Sequence, residues 1–335
     1  MRTAEFITPN HPDKMCDIIS DTILDELIKK DPFAKCRIET MGGHEKVSIT
    51  GEINSNQTLS DSEIKSIVKN ISGVSDTTIN IKTQNENFLK CSNEGLSDDC
   101  GTAIGYASTE CESLVPFEYE LARSLTKYLY DYYPYDGKVQ ITVNGDDAVI
   151  YSAFQNSKSS HLEELIKDFF KNYSYDLAKR KVFPAKIICN PLGEWNIGGF
   201  DTNSGSSGKK GILDTYGPRM PHGGGVMSGK DCTKLDRTLT LMARKVAVDC
   251  IKKYQLSYAI VELSYMLGDE FPIQAKIKGN DQGINFETGV KIYDVSGYDL
   301  SIPSIIEFLD LRNVKYSEIS KWGYFGLQNS WDKIF

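Results

Sequence analysis

GSSGKKGILDTYGPRMPHGGGVMSGKDCTKLDR occupies residues 205–237. Gly205, Gly208, Gly211, Gly217, Gly223, Gly224, Gly225 and Gly229 punctuate it. Between them stand Lys209, Lys210, Arg219, Lys230, Lys234 and Arg237 against Asp214, Asp231 and Asp236, a local excess of cations in a chain of formal charge −8. Glycine lets a backbone approach a ligand closely, and the N–H groups of such turns form anion-binding concavities. Lysines add point charges for phosphate, and an aspartate beside them can hold the accompanying magnesium. The stretch predicts a polyphosphate cradle; a glycine-rich surface loop with solvated lysines is the plainer alternative. Residues 224–231, GGVMSGKD, satisfy G-x-x-x-x-G-K but put Asp231 where a P-loop has Ser or Thr. The preceding GPRMPH carries two prolines and no apolar run, which argues against a standard P-loop.

The rest of the chain sets bounds on what such a cradle serves. With 335 residues, 40% hydrophobic and 25% charged, it can build an ample core, and its length suggests two or three domains. A pI near 5.2 argues against general nucleic-acid binding, so anion binding must be local. The opening MRTAEFITPNHPDK has no apolar leader, and no stretch is long enough to span a bilayer. Cys16, Cys36, Cys91, Cys100, Cys111, Cys189, Cys232 and Cys250 form no C-x-x-C pair or zinc spacing, which predicts reduced, mostly buried thiols and a cytoplasmic protein.

Periodicity predicts a first helix with His11 as cap, Pro12 at its first position and an apolar stripe through Met15, Ile18, Ile19, Leu24, Leu27 and Ile28. Strands follow at 36–41 and 46–54. A capping box, Ser60 to Glu63, opens a helix to about residue 70, and a strand runs over 77–83. Residues 84–102 are polar, contain glycine and lack a period, so they read as a mobile loop. A helix over 116–132 leads to a strand hairpin at 137–154. A second capping box, Ser160 to Glu163, opens a helix to about 172, and a strand covers 183–189. After the glycine-rich stretch come a helix over 235–254, strands at 257–264 and 272–278, and a helix near 303–311. A two-strand hairpin followed by a helix thus recurs near 36–72, 137–172 and 257–311, an α+β pattern of three similar units. No low-complexity linker separates them, so an intertwined molecule is expected.

Other residues invite chemistry. His11, Asp13 and Lys14 cluster at a helix start, where the His can steady a leaving oxyanion and the Asp a metal; taken alone, a helix cap with a dipole-favourable Asp is the plainer reading. Glu5, Glu39 and Glu52 lie in or beside predicted strands, as cation or ammonium ligands or as solvent-facing carboxylates. Asp136 and Lys138 open a strand after a Tyr-rich segment. Asp98 and Asp99 are loop carboxylates or turn formers. Trp195, before Gly198 and Gly199, can stack on a base or cover the core.

Taken together and in order, HPDK (11–14), IET (38–40), TGEI (50–53), GYAS (105–108), DGKVQ (136–140), NPLG (190–193) and IGG (197–199) resemble the S-adenosylmethionine synthetase family. GKKGILDTYG, HGGG and SGKDxxKxDR carry the resemblance most strongly, and YFG (324–326) echoes it. The resemblance implies three similar, intertwined α/β units with pseudo-threefold symmetry, here 1–87, 95–196 and 198–333, with sheets packing at a dimer interface and a possible dimer of dimers. It implies that the sulfur of L-methionine attacks C5′ of ATP and displaces triphosphate, which is then hydrolysed to pyrophosphate and phosphate. It assigns His11, Lys138, Lys210 and Lys230 to catalysis. ATP falls to His11, Asp136, Lys138, Glu194, Trp195, Asn203, Lys209, Lys210, Val226 and Lys230. Methionine falls to Glu52, Gln84, Asp99, Asn203 and Lys234, with Asp99 supplied by the partner subunit. Two Mg2+ fall to Asp13 and Asp236, and K+ to Glu39. No strong general base is needed, because a thioether sulfur has no proton to lose; no Ser-His or Cys-His pair stands among these residues.

The chain departs from the family pattern at several positions. Pro9 and Asn10 precede HPDK in place of Glu and Gly, Asn203 replaces an Asp, Lys209 an Arg, and Leu327 the Arg after YFG. The segment after Gln84 and the C-terminal tail are shorter than is usual. Asn203 cannot pair with an ammonium as a carboxylate does, so methionine affinity is where a departure should tell. A regulatory homologue that binds nucleotide without transfer, and a triphosphate hydrolase, are the competing readings.

Overall fold

The computed structural model describes residues 1–333. The first third contains β1 (Arg2–Ile7), α1 (Pro12–Lys30), β2 (Lys35–Gly43), β3 (Lys46–Asn54), α2 (Asp61–Ser72) and β4 (Asp76–Lys82). Next come α3 (Glu86–Glu94), β5 (Gly101–Ser108), α4 (Phe117–Tyr132), β6 (Gly137–Asn144), β7 (Asp147–Phe154), α5 (Ser159–Asn172), α6 (Ser174–Ala178) and β8 (Phe183–Cys189). The last third holds β9 (Ser204–Ser206), α7 (Gly211–Asp214), α8 (Leu235–Lys253), β10 (Tyr258–Tyr265), β11 (Gln274–Asn280), β12 (Lys291–Tyr293), α9 (Ile302–Phe308) and α10 (Tyr316–Ile319).

These strands form three four-stranded sheets, ordered β4-β3-β2-β9, β8-β7-β6-β1 and β12-β11-β10-β5. The first two share one pattern. An antiparallel hairpin carries a parallel strand on one side, reached through a helix, and an antiparallel strand from a distant segment on the other. In the third sheet β12 runs antiparallel to β11, and β5 closes the other edge. The expected intertwining is therefore physical: β1 pairs with β6, β5 with β10, and β9 with β2.

Two apolar cores form behind the sheets. One unites the inner faces of the β6 and β10 sheets with α4, α5, α8 and α9, around Tyr106, Leu121, Ile141, Phe169, Val246 and Val261. The other packs α1 and α2 on the β2 sheet through Ile19, Ile23, Leu24, Ile38, Ile49 and Val68. The second core holds the buried face of α1 against the sheet and so fixes the direction in which its N-terminus points.

Three sequence expectations are corrected. Residues 84–102 are not a loop throughout: Asn85 accepts from Asn87 N at 3.0 Å and opens α3, and left-handed Gly95 ends it. The one-sided pattern of Phe88, Leu89 and Ser92 is too short to stand out as a period. The Ser160–Glu163 capping box does not form, because Lys158 is the cap position of α5 and the Glu194 carboxylate accepts from Ser159 N at 3.0 Å instead. The last predicted helix stops at Phe308, and a 3-10 turn covers Leu311–Asn313 after left-handed Asp310. Among the described residues no helix is long and apolar enough to cross a membrane. All eight cysteines are free, and five are buried.

Candidate active site

The site begins at the start of α1. His11 is the cap, and its Nδ1 accepts from Asp13 N at 3.2 Å. A ring whose Nδ1 accepts carries its proton on Nε2 when neutral, and that N–H is left free to donate. Burial lowers the His11 pKa to about 4; Asp13 pulls the other way, while Lys210, Lys138 and Lys209 add to the lowering. Pro12 fits the first helical turn because the N–H it lacks has no helical partner there. Asp13 is buried, and its Oδ1 accepts from Ser206 N at 3.1 Å. Lys209 Nζ lies 3.6 Å from that oxygen, and Lys210 Nζ 3.9 Å from Oδ2. Lys138 joins from β6, paired with Glu5 across the β1–β6 ladder. Glu5, read from the sequence as a cation or ammonium ligand or a solvent-facing carboxylate, is the counter-charge of a candidate phosphate ligand.

Below Asp13, the same face of α1 carries Asp17, Asp21 and Asp25 at four-residue spacing, one turn apart. Each accepts from backbone N–H groups of the loops packed on it. Asp17 Oδ1 takes Gly208 N at 2.7 Å and Ser228 Oγ at 2.7 Å. Asp21 Oδ1 takes Gly229 N at 2.7 Å and Arg237 at 2.7 Å. Asp25 takes Tyr316 N and Ser317 N, both at 2.9 Å. The acidic column therefore holds both limbs of the glycine-rich stretch against the helix. Gly229 has φ +74°, and a Cβ there would lie 2.0 Å from the Ile38 carbonyl oxygen, so the second limb sits hard against β2. On that limb Lys230 Nζ binds Asp236 Oδ2 at 2.5 Å, and Asp236 Oδ1 accepts from Gly225 N at 2.6 Å. Val226 packs on Gly208, where the limbs touch. The result is two anion-ready clusters, His11–Asp13–Lys138–Lys209–Lys210 and Lys230–Asp236, to which touching limbs of one loop bring Lys209 and Lys210 on one side and Lys230 on the other.

Family models for the S-adenosylmethionine synthetase N-terminal domain and C-terminal domain match residues 1–94 and 197–333. The chain belongs to the S-adenosylmethionine synthetase family. Its relatives in that family are methionine adenosyltransferases, and this chain is an enzyme of that kind. S-adenosylmethionine synthase of Mycoplasmopsis synoviae is 31% identical, over 99% of this chain and 94% of the relative. That of Petrotoga mobilis is 31% identical, over 99% and 96%. Among solved structures, an unusual S-adenosylmethionine synthetase from Campylobacter jejuni superposes with a TM-score of 0.85 at 26% identity, covering 99% of this chain and 96% of that one.

The remaining family positions lie around these clusters to different degrees. Asp136 Oδ2 accepts from Gly199 N at 2.9 Å, and burial raises its pKa. Trp195 lies against Gly198, where Gln155 also reaches; Gln155 donates to Asn196 O at 3.0 Å. Gln155 was not singled out in the sequence, and no motif points to it. Glu194 caps α5, as described, through one of its two oxygens. Exposed Asn203 accepts from its neighbour Ser204 N at 2.8 Å. Asn10 accepts from Tyr130 OH at 2.6 Å, which ties the residue before His11 to α4. On the other side of the loop, Lys234 binds Asp98 at 2.8 Å, with Arg37 4.0 Å from that carboxylate. Asp98, not Asp99, is thus the buried acid of its pair; Asp99 is exposed. Glu52 is half-buried opposite Arg37, Glu39 is exposed on β2, and Gln84 is buried with Oε1 unpartnered. Arg37 also forms an antiparallel bridge with Lys230, so this second group borders the Lys230–Asp236 cluster.

Among the described residues no three His, Cys, Asp or Glu side chains converge to hold a metal. Mg2+ is usually held by one or two carboxylates plus substrate phosphates and water. Asp13 and Asp236 are such carboxylates, each with a lysine within 4 Å. For K+, Glu39 offers a lone exposed carboxylate.

Proposed function

We propose that this chain forms S-adenosylmethionine from ATP and L-methionine and then hydrolyses the bound triphosphate to pyrophosphate and phosphate. The observation that carries this reading is the neutral His11, with its Nε2–H free, standing among Lys138, Lys209 and Lys210 beside Asp13. In the transfer, the methionine sulfur lone pair forms the S–C5′ bond as the C5′–O bond breaks, and the electron pair leaves on the triphosphate oxygen. His11 donates to that oxygen. Lys138, Lys209, Lys210 and Lys230 hold the triphosphate, and fixed cations aimed at developing charge are the strongest lever such a site has. Asp13 and Asp236 would hold Mg2+, which when bound neutralises the phosphate oxygens. Asp136, Glu194, Trp195, Asn203 and Val226 line the nucleotide, and Glu39 binds K+.

Glu52, Gln84, Asp99, Asn203 and Lys234 form the methionine side, completed by Asp99 from a second copy. A homodimer, alone or paired, supplies that second copy. The units 1–87, 95–196 and 198–333 are read as pseudo-threefold repeats, which the shared pattern of the β2 and β6 sheets supports. Free cysteines support a cytoplasmic setting. Mass spectrometry of products from ATP, L-methionine, Mg2+ and K+ tests the reading. Methionine-dependent S-adenosylmethionine with pyrophosphate and phosphate, absent in Lys230→Ala, is expected; ATP binding without product overturns it in favour of a regulatory homologue.

A further inference from the structure

Of the four aspartates along α1, Asp17 is the one that touches both limbs of the glycine-rich stretch. Its Oδ1 accepts from Gly208 N, the residue before Lys209 and Lys210, and from Ser228 Oγ, two residues before Lys230. The side chain is buried, and its Oδ2 has no hydrogen-bond partner. Lys14 Nζ lies 4.0 Å from Oδ2, but Lys14 is itself engaged by Asp214 and by Ser320 O at 2.7 Å. A buried carboxylate with an unpartnered oxygen is costly, and well-packed apolar residues would hold a helix against a loop at lower cost. The other column members each serve one place: Asp13 the first limb at Ser206, Asp21 the second at Gly229, Asp25 the C-terminal segment. Strand β2 also holds both limbs, through Ser207 N to Thr40 O and Ile38 N to Gly229 O, but the Asp17 carboxylate ties them directly to each other, at the point where Val226 meets Gly208.

We propose that Asp17 is a positioning residue: by clamping Gly208 to Ser228 it fixes the distance between the Lys209–Lys210 pair and Lys230, and so the fit of a triphosphate that spans them. The inference rests on the adenosyltransferase reading, because it is the triphosphate that bridges the limbs. Loosening the clamp weakens ligands that touch both limbs and leaves L-methionine unaffected.

The test compares wild type with Asp17→Ala, Asp17→Asn and Ser228→Ala. It measures KM for ATP and for L-methionine, tripolyphosphate affinity by calorimetry, and thermal unfolding. Losing both hydrogen bonds to Asp17 corresponds to a loss of about tenfold or more. Asp17→Ala should therefore raise KM for ATP and Kd for tripolyphosphate about tenfold or more, with KM for L-methionine within about twofold. Asp17→Asn, which keeps the accepting oxygen, should restore most of the loss, and Ser228→Ala, which opens one arm, should lose about threefold. Unchanged ATP and tripolyphosphate constants beside a lowered Tm would overturn the proposal, as would equal losses for both substrates or no rescue by Asn. If Asp17→Ala does not fold, Ser228→Ala decides alone. Wild type that binds tripolyphosphate through Asp17 yet forms no S-adenosylmethionine sinks the functional reading and leaves the clamp standing.

Discussion

Single residues here do opposite things with burial. Lys230 is buried and repaid by Asp236 at 2.5 Å. Lys230→Ala should lower the rate of S-adenosylmethionine formation at least about 100-fold, read as initial rates. Lys127 on α4 has no such partner within bonding range among the described residues; it lies 5.4 Å over the Trp322 ring. Burial lowers its pKa to about 8 from 10.5, with Arg123 adding to the lowering and Glu120 opposing it. Between those values the unfolded chain binds the extra proton, so this group's contribution to stability rises with pH, and at pH 7 its full cost is present. Lys127→Met should stabilise the protein by about 1 kcal/mol at pH 7, with the gain gone near pH 10.5. Urea midpoints at both pH values check this, and a less stable variant at pH 7 refutes it.

Elements meet at tolerances a sequence does not display. On β5, a Cβ at Gly105 would fall 1.9 Å from the Ala243 carbonyl oxygen of α8. Gly105→Ala should cost more than about 4 kcal/mol, since neither backbone can yield, and urea unfolding or loss of soluble protein would register it. α3 depends on its cap: Asn85→Ala should cost about 1 kcal/mol and speed hydrogen exchange over residues 86–94 without touching α1. The caps of α1 and α2 were legible because His11-Pro12 and Ser60-x-x-Glu63 act within a few residues. The Ser160 signal looked the same but lost to Glu194, 35 positions from the Ser159 N–H it accepts. The aspartate column was in plain view at four-residue spacing, yet an acidic face on an amphipathic helix ordinarily means solvent, and only the packed loop shows otherwise.

At the scale of the molecule, the hairpin–helix recurrence was readable, whereas the edge strands β1, β5 and β9 were not assigned, because their partners lie far along the chain. The family assignment rested on the irregular glycine–lysine spacing, and the structure adds what spacing omits: which acids hold that loop. The outer face of the β2 sheet carries Met41, 62% exposed, beside Glu39 and Thr50. Light scattering should return about twice the 37.5 kDa chain mass, and Met41→Asp should shift it towards the single-chain value.

The borrowed edge strands also bear on how the protein is made. As the chain leaves the ribosome, β1 waits for residues 137–144, β2 for 204–206, and β5 for 258–265. Until then each nascent sheet presents an unpaired border, the surface through which chains aggregate. A messenger truncated before codon 204 would leave the product open at the same edge that later holds the glycine-rich loop, so translation must run through most of the chain before either sheet or loop can close.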